Sequence, residues 1–157
     1  MSTTQLTTTS MLTSDIARRW MLPGLTAGSV FLGVELLAGA ASTSLWRFPQ
    51  AIAEVVGVPS AFSLEVGLAI HFGFSLALGA LFIAFARRFN IRRQRSLLTA
   101  GLLLMWLESA VSIWLVLHTL FPTTLPVLFA AVPFWASFLG RNAFGLVLAE
   151  SYRRLWR

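Results

Sequence analysis

The chain has 157 residues, 57% of them hydrophobic and 11% charged, with a mean hydropathy of +0.77. A charged share this far below the roughly 25% of soluble domains excludes both a disordered chain and an ordinary soluble enzyme. The absence of cysteine excludes disulfide frameworks, thiolate metal sites and cysteine nucleophiles; the net charge of +6 comes from arginines grouped between apolar runs, a membrane-topology pattern that argues against nucleic acid as a partner.

Residues 1–19 read as a polar N-terminal tail, rich in serine and threonine up to Leu12. Arg18-Arg19 ahead of an apolar run is also the layout of a twin-arginine export signal, a reading that Glu35 inside the run opposes. A hydrocarbon core of about 30 Å needs about 20 apolar residues in a helix. Within a transmembrane domain of residues 20–157, four segments meet that length. The first covers 22–45, with Pro23 expected in its first turn, where a missing N–H is harmless. The second covers 61–86, after Pro59 and the candidate N-cap Ser60. The third covers 97–119 and is stopped by Phe121 and Pro122. The fourth covers 126–149, with a kink expected at Pro133. The segment from Arg47 to Pro59 reads as the one outer loop of any length.

Ten of the twelve arginines precede the first span, follow the fourth, or lie between the second and third. The positive-inside bias therefore predicts a multi-pass protein of the bacterial cytoplasmic (inner) membrane with both termini inside. Trp20, Tyr152 and Trp156 suit the inner interface and Trp46 the outer one.

At an offset of 73, Leu25, Thr26, Ala27, Gly28, Glu35, Phe48 and Pro49 coincide with Leu98, Thr99, Ala100, Gly101, Glu108, Phe121 and Pro122. Seven identities in 25 positions exceed the roughly two expected from composition. The expected fold is therefore all-α: an integral membrane four-helix bundle made of two tandem helical hairpins, a parallel internal repeat. For the second and fourth spans, one register pairs Arg87-Arg88 with Arg153-Arg154 and another pairs His71 with Arg141.

Each span carries one ionisable residue deep in the hydrocarbon. Glu35 lies 13 residues and Glu108 11 residues from the inner ends of their spans, about 16 to 20 Å deep at 1.5 Å per residue. His71 is about 15 Å from the outer end, and Arg141 is the shallowest. Small and weakly polar residues share their faces: Gly67, Ser75 and Gly79 with His71, and Ser137 and Gly145 with Arg141. Such faces pack helix against helix, so the charges point inward. An unpaired charge at mid-bilayer costs at least about 2.5 to 3.5 kcal/mol. The expected centre is therefore Glu35, His71, Glu108 and Arg141, with Ser75 and Asn142 as supporting groups and at least one glutamate paired with Arg141. It suits a proton relay, a substrate site, a cofactor pocket or a structural lock. Glu65 reads as a first-turn acid, Glu150 as a partner of the terminal arginines, and His118 as an interfacial residue.

No zinc or di-iron ligand pattern is present, so no metal site and no catalytic residue is expected. A haem or chlorin held by His71 alone is the one cofactor reading that the sequence leaves open.

Gly24-Leu-Thr-Ala-Gly28 opening the first span, and Ile70-His71-Phe72 followed by Gly79 in the second, resemble a family of bacterial inner-membrane proteins of the YagU-like kind. The resemblance implies four spans in two similar halves and no assigned activity. Where such proteins carry a histidine in the fourth span, this chain has Arg141. The expected function is a non-enzymatic polytopic membrane protein, a small accessory subunit packed against other membrane subunits or its own copy. The alternatives are a small transporter or proton-linked carrier working through Glu35 and Glu108, and the His71 pigment or haem carrier.

Overall fold

The computed structural model describes residues 3–42, 44–112, 114 and 130–156, with side chains from residue 15 onward except that of residue 16. Among these the protein is helical throughout, without a strand. The helices are α1 (Thr3–Ser42), α2 (Arg47–Val55), α3 (Ser63–Arg88), α4 (Gln94–Ala110) and α5 (Phe134–Leu155). A 3-10 turn, Ser60–Phe62, leads into α3. Two stretches, Ala17–Ser42 and Ser60–Arg88, are long and apolar enough to cross a membrane.

The first and second expected spans correspond to the apolar part of α1 and to α3. In contrast to the first-turn position expected for it, Pro23 lies inside α1, because the helix already begins at Thr3. Its ring therefore removes one interior hydrogen bond instead of a terminal one. Pro133 does not kink a helix. It stands before α5 with φ −58° and ψ 140°, and its carbonyl accepts the amides of Ala136 and Ser137. Extended backbone at that residue breaks the expected run from 126 to 149, so the helix begins at Phe134 and continues to Leu155. Residues 115–129, with His118, Phe121, Pro122 and Pro126, lie outside the described residues.

The expected outer loop is largely the helix α2. It buries Pro49, Ala51 and Ala53, and Arg47 forms an ion pair with Glu54. Pro49 rests on α3 at Gly67, where a Cβ would meet the Pro49 carbonyl. Two tight turns follow one pattern. Gly57 (φ 76°) and Asn90 (φ 51°) take the left-handed position after α2 and α3. In each, the next amide reaches back five residues, Val58 to Ala53 and Ile91 to Ala86. These are Schellman caps, which glycine and asparagine occupy with least strain.

α1 packs on both α3 and α5, α2 packs on α3, and α4 packs on α5. Small residues set these spacings. A Cβ on Gly28 would come within 2.6 Å of Ser75 Oγ, and one on Gly145 within 2.6 Å of the Gly101 carbonyl. Phe82, Ile83, Leu97, Met105, Phe144 and Leu148 fill the main core. A smaller cluster of Ala38, Ala51, Ala131, Val132 and Ala136 lies under Phe48. Although consecutive, α3 and α4 meet at only a few points.

Candidate functional site

The backbone contact between Gly101 and Gly145 brings α4 and α5 close enough for their polar side chains to meet two turns further along α4. There Arg141 Nε lies 3.2 Å from Glu108 Oε2. Each member is also held by a serine of its own helix, one turn away. Ser112 donates to Glu108 Oε1 at 2.6 Å, and Arg141 Nη1 donates to Ser137 Oγ at 2.7 Å. The side chains are 9% and 22% exposed, respectively. Burying such a pair is weak evidence of stabilisation, because desolvation offsets the attraction, but losing one partner strands the other. Arg141 also lies 5.8 Å from the Phe31 ring centre.

His71 ties α3 to α1. Its Nε2 donates to the Gly28 carbonyl at 2.9 Å, and the rings of Phe31, Phe48 and Phe72 stand 5.2 to 6.0 Å from the imidazole. Ser75 donates to the His71 carbonyl at 2.8 Å. A haem or chlorin on His71 Nε2 would displace the bond that joins the two helices, so the residues present do not fit that group.

Glu35 is fully buried. Neither of its carboxyl oxygens has a hydrogen bond of good geometry among the described residues. Ser137 and the Arg141 guanidinium are near enough to act on it, although the guanidinium directs its bonds to Ser137 and Glu108. Glu35 Oε1 faces Gly140 of α5, where a Cβ would lie 3.7 Å away.

His71, Ser75, Glu108, Ser112 and Arg141 line one cavity of about 320 Å³, largely apolar and open to one side. Glu35 is not among its walls. Nor is Asn142, which is turned to another face of α5. Its Oδ1 accepts from Trp106 Nε1 at 3.1 Å and its Nδ2 donates to the Phe138 carbonyl at 2.7 Å. Among the described residues, no three histidine or acidic side chains converge on a metal position.

No known protein family, curated protein or solved structure matches this chain. The chemistry of the site is therefore the only guide to its use.

Ser112, Ser137 and Phe31 belong to the site although the expected centre omitted them. A signal for the serines was present, since each stands four residues from the charge that it holds. Phe31 could have been found the same way, four residues before Glu35 on α1.

The opposite end of the helices carries a second polar group. Trp20, Arg87, Tyr152 and Trp156 assemble there, with Arg87 4.6 Å above the Trp156 ring and 5.8 Å from that of Trp20. The Tyr152 and Trp156 rings stack at 6.1 Å. Burial pushes the Tyr152 hydroxyl up, against the opposing influence of Arg87 and Arg92. Beside them, hydrogen bonds from Arg153 and Arg154 hold the Glu150 carboxyl down at about 2.

Proposed function

We propose that the protein is a non-enzymatic carrier in a bacterial inner membrane, which takes an amphipathic molecule from the bilayer and seats its polar end at the Glu108–Arg141 pair. In this reading α1, α3, α4 and α5 belong to four spans ending near Ala149, arranged as two tandem hairpins with both termini on the cytoplasmic side. The observation that carries it is the largely apolar cavity into which the partly buried Glu108–Arg141 ion pair opens. Concave sites of this kind bind by apolar contact and orient by a few polar groups. An ionisable pair at membrane depth marks such a site.

Three features support the topology. Trp20, Tyr152, Trp156 and the arginines gather at one end, as interfacial anchors and positive-inside charges do. Gly28 abuts Ser75, and Gly101 abuts Gly145. Those pairs follow the same register as His71 with Arg141, consistent with a duplicated hairpin.

The test uses vesicles containing the purified protein and a pyrene-labelled fatty acid, whose transfer across the bilayer is followed by fluorescence. The parent should accelerate transfer over empty vesicles, Arg141→Gln and Glu108→Gln should lose the acceleration, and Glu35→Gln should retain it. Equal transfer with and without protein overturns the carrier reading.

A second reading, the accessory subunit, is favoured by the gap between α3 and α4, which a helix of another membrane protein or of a second copy could fill. Co-purification of a stoichiometric partner in mild detergent supports it, and a homogeneous monomer counts against it.

A further inference from the structure

The gap between α3 and α4 has a composition that specifies an occupant. Leu81, Phe82 and Phe85 of α3 face Leu103, Leu104 and Leu107 of α4 across a cleft of about 670 Å³ with almost no polar wall. Arg95 and Ile91 stand at its lower end. Ile91 is also a wall of a second, polar cavity of about 640 Å³, which includes Arg87, Arg92, Arg153, Tyr152 and Trp156. Ile91 thus stands between two spaces, one apolar and the other basic.

The basic end has charge to spare. Glu150 is already shared between Arg153 and Arg154. Arg87 faces the indoles of Trp20 and Trp156, and Arg92 donates to Asn90 Oδ1 at 2.8 Å. This pocket thus offers guanidinium forks, the groups that recognise a phosphate.

The dimensions agree with the chemistry. Arg95 to Leu107 is twelve residues along α4, about 18 Å at 1.5 Å per residue, a little over half of a hydrocarbon core of about 30 Å. An acyl chain anchored by its headgroup at the arginines would fill that depth in one leaflet.

We infer that the α3–α4 cleft is a binding site for an anionic phospholipid, its phosphate held at Arg87 and Arg92 and an acyl chain lying between Leu81, Phe85, Leu103 and Leu107. The site is separate from the Glu108–Arg141 cavity, so it does not depend on carrier activity. Charge selects this occupant over a zwitterionic lipid or an apolar helix, because neither neutralises the arginine cluster. Basic pockets between membrane helices bind such headgroups by the same logic.

The experiment measures thermal unfolding of the detergent-solubilised full chain during titration with phosphatidylglycerol, phosphatidylcholine or glycerol phosphate. Phosphatidylglycerol should raise the midpoint and saturate near one lipid per chain. The other two should have little effect, since one lacks the net charge and the other the acyl chain. Arg87→Gln with Arg92→Gln should weaken the phosphatidylglycerol effect roughly thirtyfold, about fivefold to sixfold for each lost charge. Leu103→Trp, which fills the apolar cleft and leaves the arginines intact, should abolish the response. Phosphorus analysis of the purified parent, expected to show retained anionic lipid, provides a readout that needs no variant. Equal stabilisation by the two phospholipids, an equal response to glycerol phosphate, or an unchanged response in Leu103→Trp overturns the inference. A partner protein retained in place of lipid overturns it as well. Arg141→Gln should keep the lipid response, so failure of the carrier reading is distinguishable from failure of this one.

Discussion

Arg141 is paired with Glu108 at 3.2 Å, whereas the residue before it on α5, Gly140, faces Glu35. Consecutive helical positions point about 100° apart, so one step along α5 separates a glutamate bonded to Arg141 from one that the guanidinium reaches only through space. Breaking the pair leaves an uncompensated, partly buried charge. Arg141→Gln and Glu108→Gln should each destabilise the protein by about 2 to 4 kcal/mol. The double variant should cost less than the sum, with a coupling of at least about 1 kcal/mol. A double-mutant cycle by denaturant unfolding in detergent reads this, and strict additivity would falsify the pairing.

Glu35 should behave differently, because its oxygens have no well-formed bond to lose among the described residues. Glu35→Gln preserves the shape and removes an ionisable group from a buried position, so stability should change by less than about 1 kcal/mol. The same unfolding assay separates the two glutamates; a loss as large as that of Glu108→Gln contradicts this assignment.

Glycines at contacts should be sharply distinguished from those in open positions. Gly101→Val and Gly145→Val push a side chain into the facing backbone and should cost at least about 1 to 3 kcal/mol, as overpacking does. Gly33 and Gly73 have nothing within 4 Å of an added Cβ among the described residues. Gly33→Ala and Gly73→Ala should therefore stabilise their helices by up to about 1 kcal/mol. Midpoints of thermal unfolding for the four variants should fall on opposite sides of the parent.

Acid should loosen the end of α5. Hydrogen bonds from Arg153 and Arg154 lower Glu150 from 4.5 to about 2. A lowered carboxylate contributes stability that is complete above the unfolded value and is lost as pH falls through the folded one. The loss should therefore develop between about pH 4.5 and pH 2. Glu150→Gln should flatten the dependence there without changing it near neutrality, measured as unfolding midpoint against pH.

The turn after α3 gives a geometric test. Asn90 has φ 51°, which a β-branched side chain adopts only with strain. Asn90→Val should cost about 1 to 2 kcal/mol, whereas Asn90→Gly should be tolerated. Equal unfolding midpoints for the two variants would exclude a left-handed cap.

Much of α1 and α3 was legible because their apolar runs are uninterrupted, and Glu108 and Arg141 stood out as charges within such runs. The start of α1 was not, since serine and threonine are mediocre helix formers that favour caps and turns. α2 was hidden because nine residues are too few to separate a short helix from an apolar loop by pattern alone. The repeat made Glu35 and Glu108 look equivalent; only the rotation of α5, which sequence spacing does not specify, separates their environments. Asn142 was misleading for the same reason, being one residue from Arg141 yet turned toward Trp106.

The packing order also constrains how the molecule is made. Because α4 rests chiefly on α5 and scarcely on α3, α4 leaves the ribosome before the surface on which it docks exists. α1, α2 and α3 can settle as a unit meanwhile, but Glu108 must wait for Arg141 to be synthesised. A chain truncated just before α5 should thus be a target for quality control, with its first half folded and α4 stranded.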